Sequence, residues 1–190
     1  MRRAYRHDRF DPAQFVRNLR GRDSDMVFFL GSGGELRAWL QEAGKQRWTP
    51  YVFVPGLLAG KDILDLPPSL AKDKKIFLAY PTLPSSQTHT GALEFKALQE
   101  KYQLSGRHLA AQISAFSAAK ILLEGLKLAG KDLSREKLVG ALEGMREFDT
   151  GLTPRITYGP NRHIGAKGAY VVVMDPRNNR LIPVSDWITP

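Results

Sequence analysis

The chain of 190 residues has no cysteine. That excludes a disulfide framework and thiolate chemistry, and it is compatible with either an oxidising or a reducing compartment. Long apolar runs are missing too: none approaches the ~18 consecutive residues a membrane helix takes. The opening Met1-Arg2-Arg3-Ala4-Tyr5-Arg6-His7-Asp8 lacks the apolar stretch of a secretory signal. Histidines are few and scattered, at His7, His89, His108 and His163, with no pair at metal-ligand spacing. There is no G-x-S-x-G nucleophile turn, and Ser32 sits in Gly31-Ser32-Gly33-Gly34 without a base nearby in sequence. Glu35 and Glu42 share one helix face and read as solvated. With no acid, base and nucleophile set, the expectation is a protein that is not an enzyme, with no catalytic residues, no metal ligands and no cofactor.

Charge is plentiful but unevenly placed. Of the net +9, the segment up to Arg22 supplies +5, from Arg2, Arg3, Arg6, Arg9, Arg17, Arg20 and Arg22 against Asp8 and Asp11. Both signs are interspersed over the rest, as on a solvated surface. The basic segment brings only Tyr5, Phe10 and Phe15 as aromatics and no nucleic-acid motif, so a nucleic-acid partner is not expected.

The hydrophobic pattern alternates between two periods. Asp11-Pro12 reads as an N-cap followed by proline at the first helical position, with Phe15, Val16 and Leu19 on one face and a stop near Gly21. The run from Met26 to Leu30 predicts a strand buried on both sides. After the turn Gly31-Ser32-Gly33-Gly34, the residues Leu36, Trp39, Leu40 and Ala43 mark a helix. Tyr51 to Val54, stopped by Pro55-Gly56, and Lys75 to Tyr80 predict two further strands. Such spacing implies right-handed crossovers and a mostly parallel sheet flanked by helices, an α/β fold.

Residues 81–86 then read as a linker. Helices are expected over 91–102 and 109–129, the second with Leu109, Ile113, Phe116, Leu123 and Leu126 at helical spacing and stopped by Gly130. Ser134 is placed to cap a third, with Leu138, Val139 and Leu142 on its inner face. Beyond Thr150 the pattern predicts strands at 156–158, 169–174 and 181–184. The glycine turn after Leu30 follows a strand, where open α/β sheets bind ligands. It lacks the glycine spacing of a dinucleotide loop and the lysine of a phosphate loop.

The order of the last third, from Ala110 through Leu133-Ser134-Arg135-Glu136 and Phe148-Asp149-Thr150-Gly151 to Ile156-Thr157-Tyr158-Gly159-Pro160-Asn161-Arg162 and the strand after Ala169, resembles a known family. It is that of the type I periplasmic binding proteins, the leucine/isoleucine/valine-binding kind that serve ABC importers, and specifically their carboxy-terminal half. In that family two α/β lobes close over a small solute.

The resemblance implies a second-lobe α/β domain from residues 10–80 and 150–190, in three layers. Residues 85–149 would be an inserted helical remnant of the first lobe, and residues 1–9 a basic N-terminal segment. It implies that Ser32, Gly33 and Gly34 face the solute and that Pro55, Gly56 and Leu57 line the same cleft. Relatives commonly place a carboxylate just after that proline to hold a solute ammonium. Here Gly56 stands there, and an ammonium desolvated without a counter-charge is costly. An amide, a carboxylate or an aromatic acid is thus as good a candidate as an amino acid. The implied partners are that solute, an importer permease in the membrane and a second copy of the chain, paired through apolar faces of the helices over 91–145. The implied location is the periplasm. The alternative function is an interaction or regulatory module derived from this fold that no longer binds solute.

Overall fold

The computed structural model describes residues 4–22, 24–59, 63, 65–67, 69–70, 75–83, 87–175, 178 and 180–190. Residues 84–86 of the expected linker, and 176–177 and 179 of the turn after Asp175, lie outside them. The chain divides into two compact units, one of Met1–Ala79 with Val171–Val184, the other of Tyr80–Tyr170 with Ser185–Pro190.

The first unit is a sheet with helices. Helix α1 (Pro12–Arg20) begins as expected: the Asp11 carboxylate accepts the Gln14 N–H at 3.0 Å, proline occupies the first turn and Gly21 ends it. Strand β1 (Met26–Phe28) leads through Ser32 to α2 (Gly33–Lys45), and β2 (Tyr51–Pro55) leads directly to the single turn α3 (Gly56–Ala59). Strands β3 (Ile76–Tyr80), β4 (Tyr170–Asp175) and β5 (Arg180–Pro183) complete a five-stranded sheet in the order β1-β2-β3-β4-β5. Pairs β1–β2 and β2–β3 are parallel, whereas β4–β5 is an antiparallel ribbon. The sheet is therefore mixed, with its parallel part where the crossovers were predicted.

Sidedness departs from expectation. Residues two apart share a face, so the register places Val27, Phe29, Val52, Val54, Ile76 and Leu78 on one side. That side is covered by α2, with Trp39 against Phe29 at 5.9 Å and Leu36, Trp39, Leu40 and Ala43 all buried. Phe10 also reaches Phe29, at 6.3 Å. The opposite side carries Met26, Phe28, Tyr51, Phe53 and Phe77. Phe28 stacks on Phe53 at 5.2 Å, and Phe53 on Phe77 at 5.0 Å. Yet Met26 is 52% exposed, Phe28 70% and Tyr51 46%. The prediction of a β1 strand buried on both sides is thus corrected. A continuous apolar run reports that both faces can be buried, not that a layer is present to bury them.

The second unit is mainly helical. Helix α4 (His89–Lys101) starts at Thr88, whose hydroxyl oxygen accepts the Gly91 N–H at 3.0 Å. Helix α5 (Leu109–Ala129) matches its predicted span, and Gly130 at φ 80° ends it. Helix α6 (Arg135–Glu143) is capped by Ser134, which accepts the Lys137 N–H at 3.2 Å. The core joins Phe95, Ile113 and Leu152, with Phe116 edge-on to Phe95 at 5.5 Å. Gly91 lies against the backbone of Gly151, and a β-carbon there would stand 2.5 Å from the Gly151 carbonyl oxygen.

Three readings change here. The expected strand at 156–158 is a single antiparallel bridge, Phe148 to Ile156. Val139 is exposed, while Leu138 and Leu142 are half-buried. Finally, α5 does reach membrane-span dimensions, at 21 residues with a mean hydropathy of 1.3. Its alanines raise that average without forming a long run of large apolar side chains, which is why the sequence showed no such run.

Candidate functional site

The two loops singled out in the sequence both follow the carboxyl ends of neighbouring parallel strands. Phe28 pairs with Phe53, and the chain leaves β1 toward Ser32 and β2 toward Gly56 in the same direction. Brought to one end of the sheet in this way, Ser32, Gly33, Gly34, Pro55, Gly56 and Leu57 occupy the position where open α/β sheets take ligands. Their characters differ. Gly33 and Gly56 are buried, Ser32 and Gly34 are exposed, and Leu57 presents 47% of its surface. A β-carbon on Gly34 would meet nothing within 4 Å, so open space lies beside that peptide.

Ser32 is committed locally. Its hydroxyl oxygen accepts the Glu35 N–H at 3.3 Å, and the Glu35 carboxylate accepts the Ser32 N–H at 2.7 Å and the Ser32 hydroxyl at 2.8 Å. This reciprocal capping box closes the first turn of α2. Its signal, serine followed three residues later by glutamate, was present in the sequence but hidden within what read as a glycine turn.

The same carboxylate oxygen accepts the Tyr5 hydroxyl at 3.2 Å. Burial pushes the Tyr5 phenol up to about 12, reinforced by the Glu35 charge and by that hydrogen bond. Gly31 is required for this approach, since a β-carbon there would collide with the Tyr5 hydroxyl oxygen. Tyr5 carried no functional signal in the sequence; its partner is thirty positions away. Glu35, held by Ser32 and Tyr5, is not a loose counter-charge for an ammonium.

A second feature was not foreseen. A cleft of about 860 Å³ is lined by Met26 to Leu30 together with Tyr5, Phe15, Leu19, Glu35 and Trp39. No group of three or more possible metal ligands occurs among the described residues.

The periplasmic binding protein family model matches residues 2–179, and the chain belongs to that family. No curated protein matches it. Among solved structures, it is similar to a branched chain amino acid ABC transporter from Thermus thermophilus with bound valine. The TM-score is 0.80 at 18% identity, covering 95% of this chain and 50% of that one. A fatty acid ABC transporter substrate-binding protein from Thermomonospora curvata gives 0.72 at 18% identity, over 95% and 47%. A leucine binding protein from Thermotoga maritima gives 0.72 at 18% identity, over 98% and 51%. The chain spans about half the length of these relatives.

Proposed function

We propose that this chain contributes a solute-contacting surface of an importer-type binding protein in the periplasm. The surface would consist of Ser32, Gly33 and Gly34 after β1 and Pro55, Gly56 and Leu57 after β2. The observation that supports this most is the placement of both loops at the carboxyl ends of adjacent parallel strands in a chain of this family. The unit formed by Met1–Ala79 and Val171–Val184 would be the second-lobe domain, and the helices over 89–143 the remnant of the first.

The solute is a small organic molecule of the amino-acid, amide or aromatic-acid class. Exposed backbone at Gly34 and the apolar Leu57 suit a polar group beside an apolar body. The absence of a carboxylate at Gly56 weighs against a plain amino acid. Solute sites gain affinity by burying most of the ligand, and half of the relatives' length supplies few walls. The isolated chain should therefore bind weakly.

An amide-resolved NMR titration with isoleucine, an aliphatic amide and an aromatic acid tests this. The expected result is shifts confined to 32–34 and 56–57, with affinity weaker than micromolar. Tight one-to-one binding, or no shift in those loops with any of the three, overturns it.

A second reading, an interaction module, is favoured by the exposed leucines of the helical unit. Leu122, Leu123 and Leu128 on α5 are 49%, 57% and 59% exposed. A homodimer through the side that carries Leu122 and Leu123 would hide it twice with one set of residues.

A further inference from the structure

We propose that the end of the first unit at which β1, β2 and β3 begin is a docking surface for anionic phospholipid headgroups. It lies at the other end of these strands from the loops at 32–34 and 55–57, and it does not rest on the solute reading.

Strand direction gathers the charges. Strands β1 and β2 are parallel, so α2, which joins them, runs from the carboxyl end of β1 back to the amino end of β2. Helix α1 ends at Arg20, shortly before β1 opens at Met26, and packs against α2. Its start is marked by Tyr5, which precedes it and meets Glu35 in the first turn of α2. The last residues of both helices and the first of β3 therefore share one end.

Around these helices the two ends differ in charge. At the amino ends of the strands stand Arg17, Arg20, Arg22, Lys45, Arg47 and Lys75, against Asp25 and Glu42, a net +4 among the described residues. At the carboxyl ends Arg6, Arg9 and Arg37 are balanced by Asp8, Asp11 and Glu35. Helix C-termini attract cations, but two of them together carry only about one negative charge, which leaves a surplus of about three. Glu42 is already engaged. Its carboxyl is held below its ordinary value by hydrogen bonds from Gln46 at 3.0 Å and Lys45 at 3.1 Å, and by the Arg17 charge. Lys75 is committed as well, donating to the Thr49 carbonyl at 3.0 Å. The other five cations are exposed.

Such a surface selects what covers it. Placing several cations under a layer without counter-charge is costly, and two copies meeting here would set like charges together. Four of the five exposed cations are arginines, whose planar forks suit phosphate. The apolar side chains beside them do not form the desolvated centre that a protein interface takes. Leu19 is half-buried, and Trp48 packs edge-on to Trp39 at 5.6 Å. Headgroups of a bilayer move laterally, so they meet cations spread over the ends of separate helices without a matched shape. Each such cation near an anionic bilayer strengthens binding about fivefold.

Sedimentation of the whole chain with vesicles tests this, using phosphatidylcholine alone and an equal mixture with phosphatidylglycerol. The chain should pellet with the anionic vesicles only, and molar salt, which shortens screening to about 3 Å, should release it. Arg22→Glu with Arg47→Glu, both beyond the helix ends, should lose binding at least about tenfold with circular dichroism unchanged. Arg9→Glu with Arg37→Glu changes the net charge equally at the other end and should keep binding within about threefold. If the first double variant fails to fold, Arg22→Gln with Arg47→Gln, which removes charge without reversing it, should still lose at least about tenfold. Equal binding to both kinds of vesicle overturns the proposal, as does equal loss by the two glutamate variants. Tighter binding to soluble polyglutamate or to a DNA duplex than to the anionic vesicles assigns the surface to another partner and also overturns it.

Discussion

Tyr5, Gly31, Ser32 and Glu35 form a cluster in which one carboxylate serves a helix cap and a distant phenol. The Tyr5 phenol, raised from 10.0 to about 12 in the folded chain, is held in its neutral form by the fold. The stability this brings is fully present below pH 10 and is lost as pH rises through 10 toward 12. Urea midpoints for wild type should fall over that window, and Tyr5→Phe should flatten the fall while lowering the plateau. An unchanged slope would separate Tyr5 from the alkaline transition. Ser32→Ala removes the acceptor for the Glu35 N–H and should cost about 1 kcal/mol, read as a lower urea midpoint at neutral pH.

At the scale of elements, the caps and glycines set where helices begin and what they touch. The α4 start is fastened to the segment around Gly151: the Thr88 N–H donates to the Gly151 carbonyl at 2.9 Å and Gly91 packs on the same peptide. Gly91→Ala has no room for its β-carbon and should destabilise the helical unit by about 2–4 kcal/mol. A melting curve unchanged from wild type would contradict that packing. On α5 the structure reassigns roles. Ile113 is buried and Phe116 packs on Phe95, so both hold the unit's core and do not form an interface. Phe116→Asp should therefore unfold the unit, not simply separate partners.

For the molecule as a whole, the question is which apolar surface is covered by what. Leu123 is exposed where Phe116 is not, so Leu123→Asp is the substitution that tests self-association without disturbing the core. Light scattering should show a dimer for wild type and a monomer for Leu123→Asp, with identical circular dichroism. A wild-type monomer at high concentration would remove the homodimer from the functional reading. Fully burying a leucine brings about 1.5–3 kcal/mol, and Leu122 and Leu123, about half exposed, would each gain about half of that on pairing.

Helix starts at Asp11 and Ser134, the full span of α5, its stop at Gly130 and the parallel order of β1, β2 and β3 were all legible in the sequence. Each depends on local chemistry: a capping oxygen, a proline at the first turn, a glycine at positive φ, or a period of two or 3.6. The two candidate loops were legible for the same reason, because parallel strands joined by helices must end on one side of the sheet. Only the tertiary structure decided that Met26 and Phe28 are exposed, that Tyr5 reaches Glu35, and that Ile113 and Phe116 belong to a core. Those facts depend on which segments meet in space. A run of apolar residues records the capacity to be buried, while burial itself depends on the presence of a neighbour.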